Sequence, residues 1–144
     1  MPHLTVPFAA HGPLVEFYVA VSTPREEALR HAGFEVPAPI LIRGLVDTGA
    51  SCTCLDPSIL NQLAVPVRGF TELHTPSTQG TPALHRQFDI RLILSHPQMN
   101  FSFNTLPGVE CGLTHGIPAL IGRDVLAQCL LVYDGKAATF ALSF

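Results

Sequence analysis

Val, Ile, Leu and Phe recur along this chain in short runs separated by turn-forming residues, the pattern of a β-rich protein and not of a long helical bundle. Leu14 to Val21 mixes aromatic and β-branched residues and stops at Ser22-Thr23-Pro24, which predicts a strand. The pattern then changes. Thr23 can cap a short helix whose first turn holds Pro24, Glu26 and Glu27 and which Gly33 ends. Residues 24–37 read as a surface insertion. Pro37 and Pro39 lead into the apolar run Ile40 to Val46, a strand that passes directly into Asp47-Thr48-Gly49-Ala50-Ser51.

Beyond that junction, Cys52 to Leu55 reads as a strand, and Asp56 to Leu60 as a turn with a helical start. Residues 67–94 read as a hairpin with arms Val67 to His74 and Ala83 to Leu94. Its tip, residues 75–82, is polar and turn-rich and lacks an apolar anchor. Phe101 to Phe103 alternates as a strand, Gly108 to Gly116 reads as a loop, Pro118 to Gly122 as a short buried strand and Arg123 to Gln128 as a short helix. Leu130 to Tyr133 and Ala138 to Phe144 form a hairpin signature around a two-residue Asp134-Gly135 turn. Phe101, Phe103, Phe140 and Phe144 belong to core or interface. Residues 1–13 stay open as a swapped strand, a pro-segment or a tail.

At 144 residues and 47% hydrophobic, residues 1–144 make one domain with a real core. Charged residues are 13% and the formal net charge is -3, so the basic footprint of nucleic-acid binding is missing. The N-terminus lacks the basic start and apolar stretch of a secretory signal, and no apolar run approaches the ~20 residues of a membrane span. A cytoplasmic protein with neither nucleic-acid nor membrane partner is the expectation. Cys52, Cys54, Cys111 and Cys129 are too sparse for a disulfide scaffold and lack the C-x-x-C spacing, so reduced, mostly buried thiols are expected. His74, His85 and His96 have no short-spaced partner, and neither a metal nor another cofactor is expected. No G-x-S-x-G elbow supports a serine nucleophile.

Peptide hydrolysis without a metal can be done by two carboxyl groups sharing one proton: one deprotonates the attacking water while the other protonates the scissile carbonyl. Presenting such a carboxylate takes a tight turn after a buried strand, small neighbours so that two turns can meet, and hydroxyls to fix the backbone. Leu45 to Ser51 supplies all of these, with Gly49 free to take unusual dihedrals. The bland alternative makes Asp47 a turn-capping residue.

Leu45 to Ser51 resembles the Asp-Thr-Gly-Ala/Ser signature of aspartic peptidases, and the order of elements resembles the retropepsin branch. Residues 86–89 resemble the strand leaving the retropepsin flap, and residues 119–126 the apolar-apolar-Gly-Arg-Asp/Asn segment with its helix. The resemblance covers roughly residues 40–144. It implies an all-β retropepsin-like acid-protease barrel, one lobe per chain, with one or two short helices and a flap hairpin. It further implies that Asp47 is catalytic, that Thr48 locks two turns across a dimer axis, that Gly49 meets substrate backbone, and that Ala50 and Ser51 line the cleft. Ser77, Thr78, Gln79, Gly80 and Thr81 would form the flap tip, with Ile121, Gly122, Arg123 and Asp124 structural beside the site. Retroviral members often carry an acid where Ser51 stands, paired with the arginine at Arg123; Asp124 is the candidate replacement. With a single such motif, the second aspartate would come from a second copy, making an aspartic endopeptidase that is active as a homodimer on peptide substrates and has a C-terminal strand interleaved with its partner. The competing class is a latent or non-catalytic dimeric peptide-binding module on the same fold.

Overall fold

The computed structural model describes residues 2–74, 80–98, 100–113 and 116–144. Along them run β1 (His3–Pro7), β2 (Leu14–Val21), α1 (Thr23–His31), β3 (Ile40–Val46), β4 (Cys54–Leu55), α2 (Pro57–Leu63), β5 (Val67–Leu73), β6 (Ala83–Ser95), β7 (Asn100–Glu110), β8 (Ala119–Ile121), α3 (Arg123–Leu126), β9 (Leu130–Asp134) and β10 (Thr139–Ser143). The fold is mostly β, as the short apolar runs require. No helix among the described residues is long and apolar enough to cross a membrane.

Six strands close on themselves in the order β2-β3-β8-β4-β7-β6, the ring being completed by antiparallel pairing of Tyr18–Val21 with residues 90–93. Period-2 alternation sends one face of each strand inward. Val15, Phe17, Val19 and Val21 of β2 meet Phe88, Ile90, Leu92 and Leu94 of β6 in one core. Burying each such side chain stabilises by about 1.5–3 kcal/mol. Gly44 admits Phe17 to that core, because a Cβ there would lie 2.6 Å from the ring.

The long strand β6 serves two neighbours along one edge. Residues 90–93 pair with β2, and residues 83–88 pair with β5, so the β5–β6 hairpin projects from the barrel. This is the hairpin expected over residues 67–94. Ser77, Thr78 and Gln79 of its tip lie outside the described residues.

A second sheet, β1-β10-β9, covers one side of the core with Phe140, Leu142 and Phe144. Here the structure corrects two expectations. Residues 3–7 are a strand paired antiparallel with β10 of the same chain, and β9 occupies the other edge of β10. The strand expected to interleave with a partner therefore has both edges taken within its own chain. The β9–β10 connection is also longer than two residues, since Asp134 pairs with Thr139. The Asp134 carboxylate accepts from the N–H groups of Lys136 and Ala137, and Ala138 takes a left-handed φ of 51° to complete the turn.

Other boundaries move for local reasons. Ser22, not Thr23, caps α1, and the helix buries none of its residues, lying on the surface with Glu26 bonded to Arg30 and to Arg91 of β6. The segment 56–60 grows into a full helix, a third where one or two were expected, because Asp56 accepts from Ser58 N and Oγ while Ile59, Leu60 and Leu63 reach the core. Residues 108–110 belong to β7, not to a loop, and β4 is only Cys54–Leu55. The final helix ends at Leu126.

Removing residues 139–144 is expected to abolish cooperative folding, not merely pairing between chains. It strips Phe140, Leu142 and Phe144 from the core, where large-to-small changes cost about 2–5 kcal/mol each against a total stability of about 5–15 kcal/mol. A truncated chain that still melts cooperatively by circular dichroism would contradict this placement of β10.

Candidate active site

The Asp47 turn is built by a strand crossing. β8 runs parallel to β3 on one side and antiparallel to β4 on the other, so the chain leaving β3 must arch over the end of β8 to enter β4. Asp47 sits at the start of that arch. Its N–H bonds to Ile121 O at 3.0 Å, continuing the β3–β8 ladder, and its O accepts from Ala50 N at 3.2 Å. One carboxylate oxygen, Oδ1, accepts from Gly49 N at 2.9 Å. Oδ2 has no hydrogen-bond partner among the described residues. The turn-capping role and the presentation of a free carboxylate oxygen thus coexist in one side chain.

Arg123 braces the arch from beneath. Its backbone N–H bonds to Ala50 O and its guanidinium Nη1 donates to Thr48 O, both at 2.9 Å. Asp47 and Ala50 are partly exposed, and Thr48, Gly49 and Ser51 are exposed. The structure brings Asp47, Thr48, Gly49 and Ala50 together with Ile121, Gly122 and Arg123.

Asp124 does something other than pair with Arg123. Its carboxylate points into the molecule, accepting from Thr53 N at 2.9 Å and Thr53 Oγ1 at 2.8 Å, and from Val125 N at 2.9 Å. The Thr53 hydroxyl in turn accepts from Gly122 N at 3.2 Å. Thr53 is wholly buried. Sequence reading passed over it because a threonine in a strand is commonplace; its signal was a polar residue between two apolar-lined cysteines on a strand that must be buried. Gly122 is required by the same knot, since a Cβ would lie 2.4 Å from the Cys52 carbonyl carbon, which is backbone and cannot swing aside.

The projecting hairpin is pinned where it leaves the barrel. Arg86 forms a two-pronged ion pair with Glu110 of β7, and His85 Nδ1 lies 2.9 Å from Glu110 O. The hydrogen bonds from Arg86 hold the Glu110 carboxyl below its ordinary pKa. Gly80 and Thr81, on the return side of the tip, are exposed. A separate surface cleft of about 330 Å³, lined by Ser22, Pro24, Arg25, Pro66, Val67, Arg68 and Asp89, contains none of the turn residues.

No protein-family model and no curated protein matches this chain. Solved structures do. A retropepsin-like aspartic protease from Rickettsia conorii superposes with a TM-score of 0.60 at 14% identity, over 99% of this chain and 90% of that one. The retroviral protease-like domain of Ddi1 from Leishmania major is aligned over 86% of this chain and 83% of that one, at 13% identity and a TM-score of 0.42. The likeness to the Rickettsia protease shows that the fold is retropepsin-like.

Thr53→Val is expected to destabilise the chain by about 1–3 kcal/mol, because it leaves the buried Gly122 N–H without its acceptor and removes one of the donors to the Asp124 carboxylate. An unchanged denaturant midpoint would remove Thr53 from its assigned role. Glu110 gives a pH dependence of definite sign. Its pKa is depressed in the folded state, so its contribution is complete above the unfolded value of about 4.3 and is lost as pH falls through the folded value. The difference in melting temperature between wild type and Glu110→Gln should accordingly be largest near pH 7 and shrink toward pH 3. A gap that widens in acid would contradict the Arg86 pairing.

Proposed function

We propose that two copies of this chain form an aspartic endopeptidase in which the Asp47 side chains meet on a two-fold axis. The observation that carries the reading is the Asp47 carboxylate itself: it stands at the end of a barrel strand with Oδ1 fixed by Gly49 N–H and Oδ2 uncommitted, on a turn braced by Arg123. Two such carboxyls facing each other share one proton. The ionised one draws a proton from a bound water, the water oxygen attacks the scissile carbonyl carbon, and the protonated one donates to the carbonyl oxygen.

In this reading Thr48 makes the contacts across the axis and Gly49 offers main chain to an extended substrate, which is added to the site as a strand is added to a sheet. Ala50 and Ser51 line the cleft. Ser77, Thr78, Gln79, Gly80 and Thr81 close over the substrate and exclude water. Because a two-fold axis brings each residue to its own mate, the interface is isologous and obligate, of order 2,000 Å² or more. The fold's likeness to the Rickettsia protease supports the reading through architecture, and the Asp-Thr-Gly turn supports it through chemistry.

A second reading, a peptide-binding or latent dimer, draws on one observation. Since β1 and β9 flank β10 within the chain, an interleaved C-terminal sheet is closed to a partner unless β1 gives way. A chain resting in that arrangement would be silent until it assembles.

The deciding experiment is digestion of a diverse peptide mixture across pH 3–8 by wild type and Asp47→Asn, with a pepstatin-type inhibitor as control and the mass in solution measured in parallel. The expected result is cleavage strongest in acid to mildly acidic solution, reduced by at least about 10³-fold in the variant, which should remain folded and dimeric. Equal cleavage by both proteins would end the aspartic mechanism. Silence from both in a confirmed dimer would select the binding module.

A further inference from the structure

Three of the four thiols in this chain gather behind the Asp47 turn. β4 and β7 run parallel, with Cys54 opposite Val109 and Leu55 opposite Glu110, and Cys111 N bonds to Leu55 O at 3.0 Å. Period-2 alternation along β7 and its continuation sends the side chains of Val109 and Cys111 to one side, the side on which Cys54 stands. The Cys54 thiol is buried at 5% exposure and donates to Cys52 O at 3.7 Å, and the thiols of Cys111 and Cys52 stand near enough to perturb its ionisation. Cys111 and Cys52 are both partly exposed. Cys129 stands apart, with its thiol directed to Val125 O.

We propose that Cys54 and Cys111 form a redox modification site, in which hydrogen peroxide joins them in a disulfide between β4 and β7. The Cys111 thiolate attacks one peroxide oxygen, the O–O bond breaks, and Cys111 becomes a sulfenic acid while the departing hydroxide takes a proton to become water. The Cys54 sulfur then displaces the sulfenic hydroxyl, the S–O bond breaks, and a second water leaves with the proton from Cys54. The two thiols are oxidised by two electrons and the peroxide is reduced to two waters.

Cys54 chooses Cys111 over Cys52 on grounds of position. Cys52 lies two residues away around Thr53, whose backbone and hydroxyl are fixed to Asp124, and its own backbone is wedged against Gly122. Cys111 instead comes from another segment, one residue past the end of β7, where its N–H still bonds to Leu55 O of β4 and holds it beside that strand. The neighbouring Cys54 thiol holds the Cys111 thiol below its ordinary pKa, which favours the attacking thiolate, whereas burial pushes the Cys129 thiol up. Cys52 is held down as well, to about 7, by the same Cys54 thiol. Oxidation would remove the S–H that donates to Cys52 O, on the residue whose backbone packs against Gly122.

The test treats the full chain with millimolar hydrogen peroxide and maps its peptides without reduction. The expected product is about 2 Da lighter than the reduced chain, contains a linked Cys54–Cys111 peptide pair, and melts on the order of 5 °C higher, since the bridge closes a long loop. A reducing thiol should reverse both changes. Cys111→Ser should show neither the mass loss nor the shift. A Cys52–Cys54 link, sulfinic acid on separate thiols, or oxidation of Cys129 as fast as the others would overturn the proposal. None of these readouts depends on peptidase activity, so the outcome stands whether or not Asp47 is catalytic.

Discussion

β8 passes between β3 and β4 with only a hydrogen atom on Gly122 facing the Cys52 backbone, and the Thr53 hydroxyl bonds across that contact to Gly122 on one side and Asp124 on the other. The arch that carries Asp47 rests on this crossing. Loss of the contact would let the arch lift, Arg123 would lose its reach to Thr48 and Ala50, and the carboxylate would lose its fixed direction. A buried hydroxyl satisfied on both faces is well suited to this, because within the low-dielectric interior an unpaired partner is costly to tolerate. Rigidity at the turn is thus held in part by two buried residues, Thr53 and Gly122.

What the sequence revealed follows from how local each signal is. The Asp47 turn, the strand before it and the Ile-Gly-Arg-Asp segment were legible because their residues are rare in combination and their roles are backbone roles. The hairpin over residues 67–94 was legible from its polar tip and alternating arms. The pairing of residues 3–7 with β10 was not, since a strand of His-Leu-Thr-Val-Pro carries little pattern and its partner is found only after the rest has folded. Thr53 and the true orientation of Asp124 were missed for a similar reason. Their meaning arises from contacts about seventy residues apart in the chain, which no local spacing encodes.

The β1-β10-β9 sheet separates fold from assembly. The same strands that a retropepsin-like dimer would interleave are here satisfied internally, and exposed Leu130 and Val132 lie on the outer side of β9. The fold is that of the Rickettsia protease, with the edges of β10 taken by β1 and β9 of the same chain.

Pairing of the first strand with the last also sets an order of events in folding. Phe144 N bonds to Pro2 O, so contacts between β1 and β10 close a longer loop than any other strand pairing among the described residues. Such contacts have the highest entropic cost before any return is gained, and they form after the nearer pairings of β6 with β5 and β7 are in place. During synthesis β1 emerges before β2 and waits for a partner that follows every other described strand. Until β10 arrives, its ladder groups stand open, and the interval in which this chain could exchange strands with a neighbour is the time taken to make the segment between them.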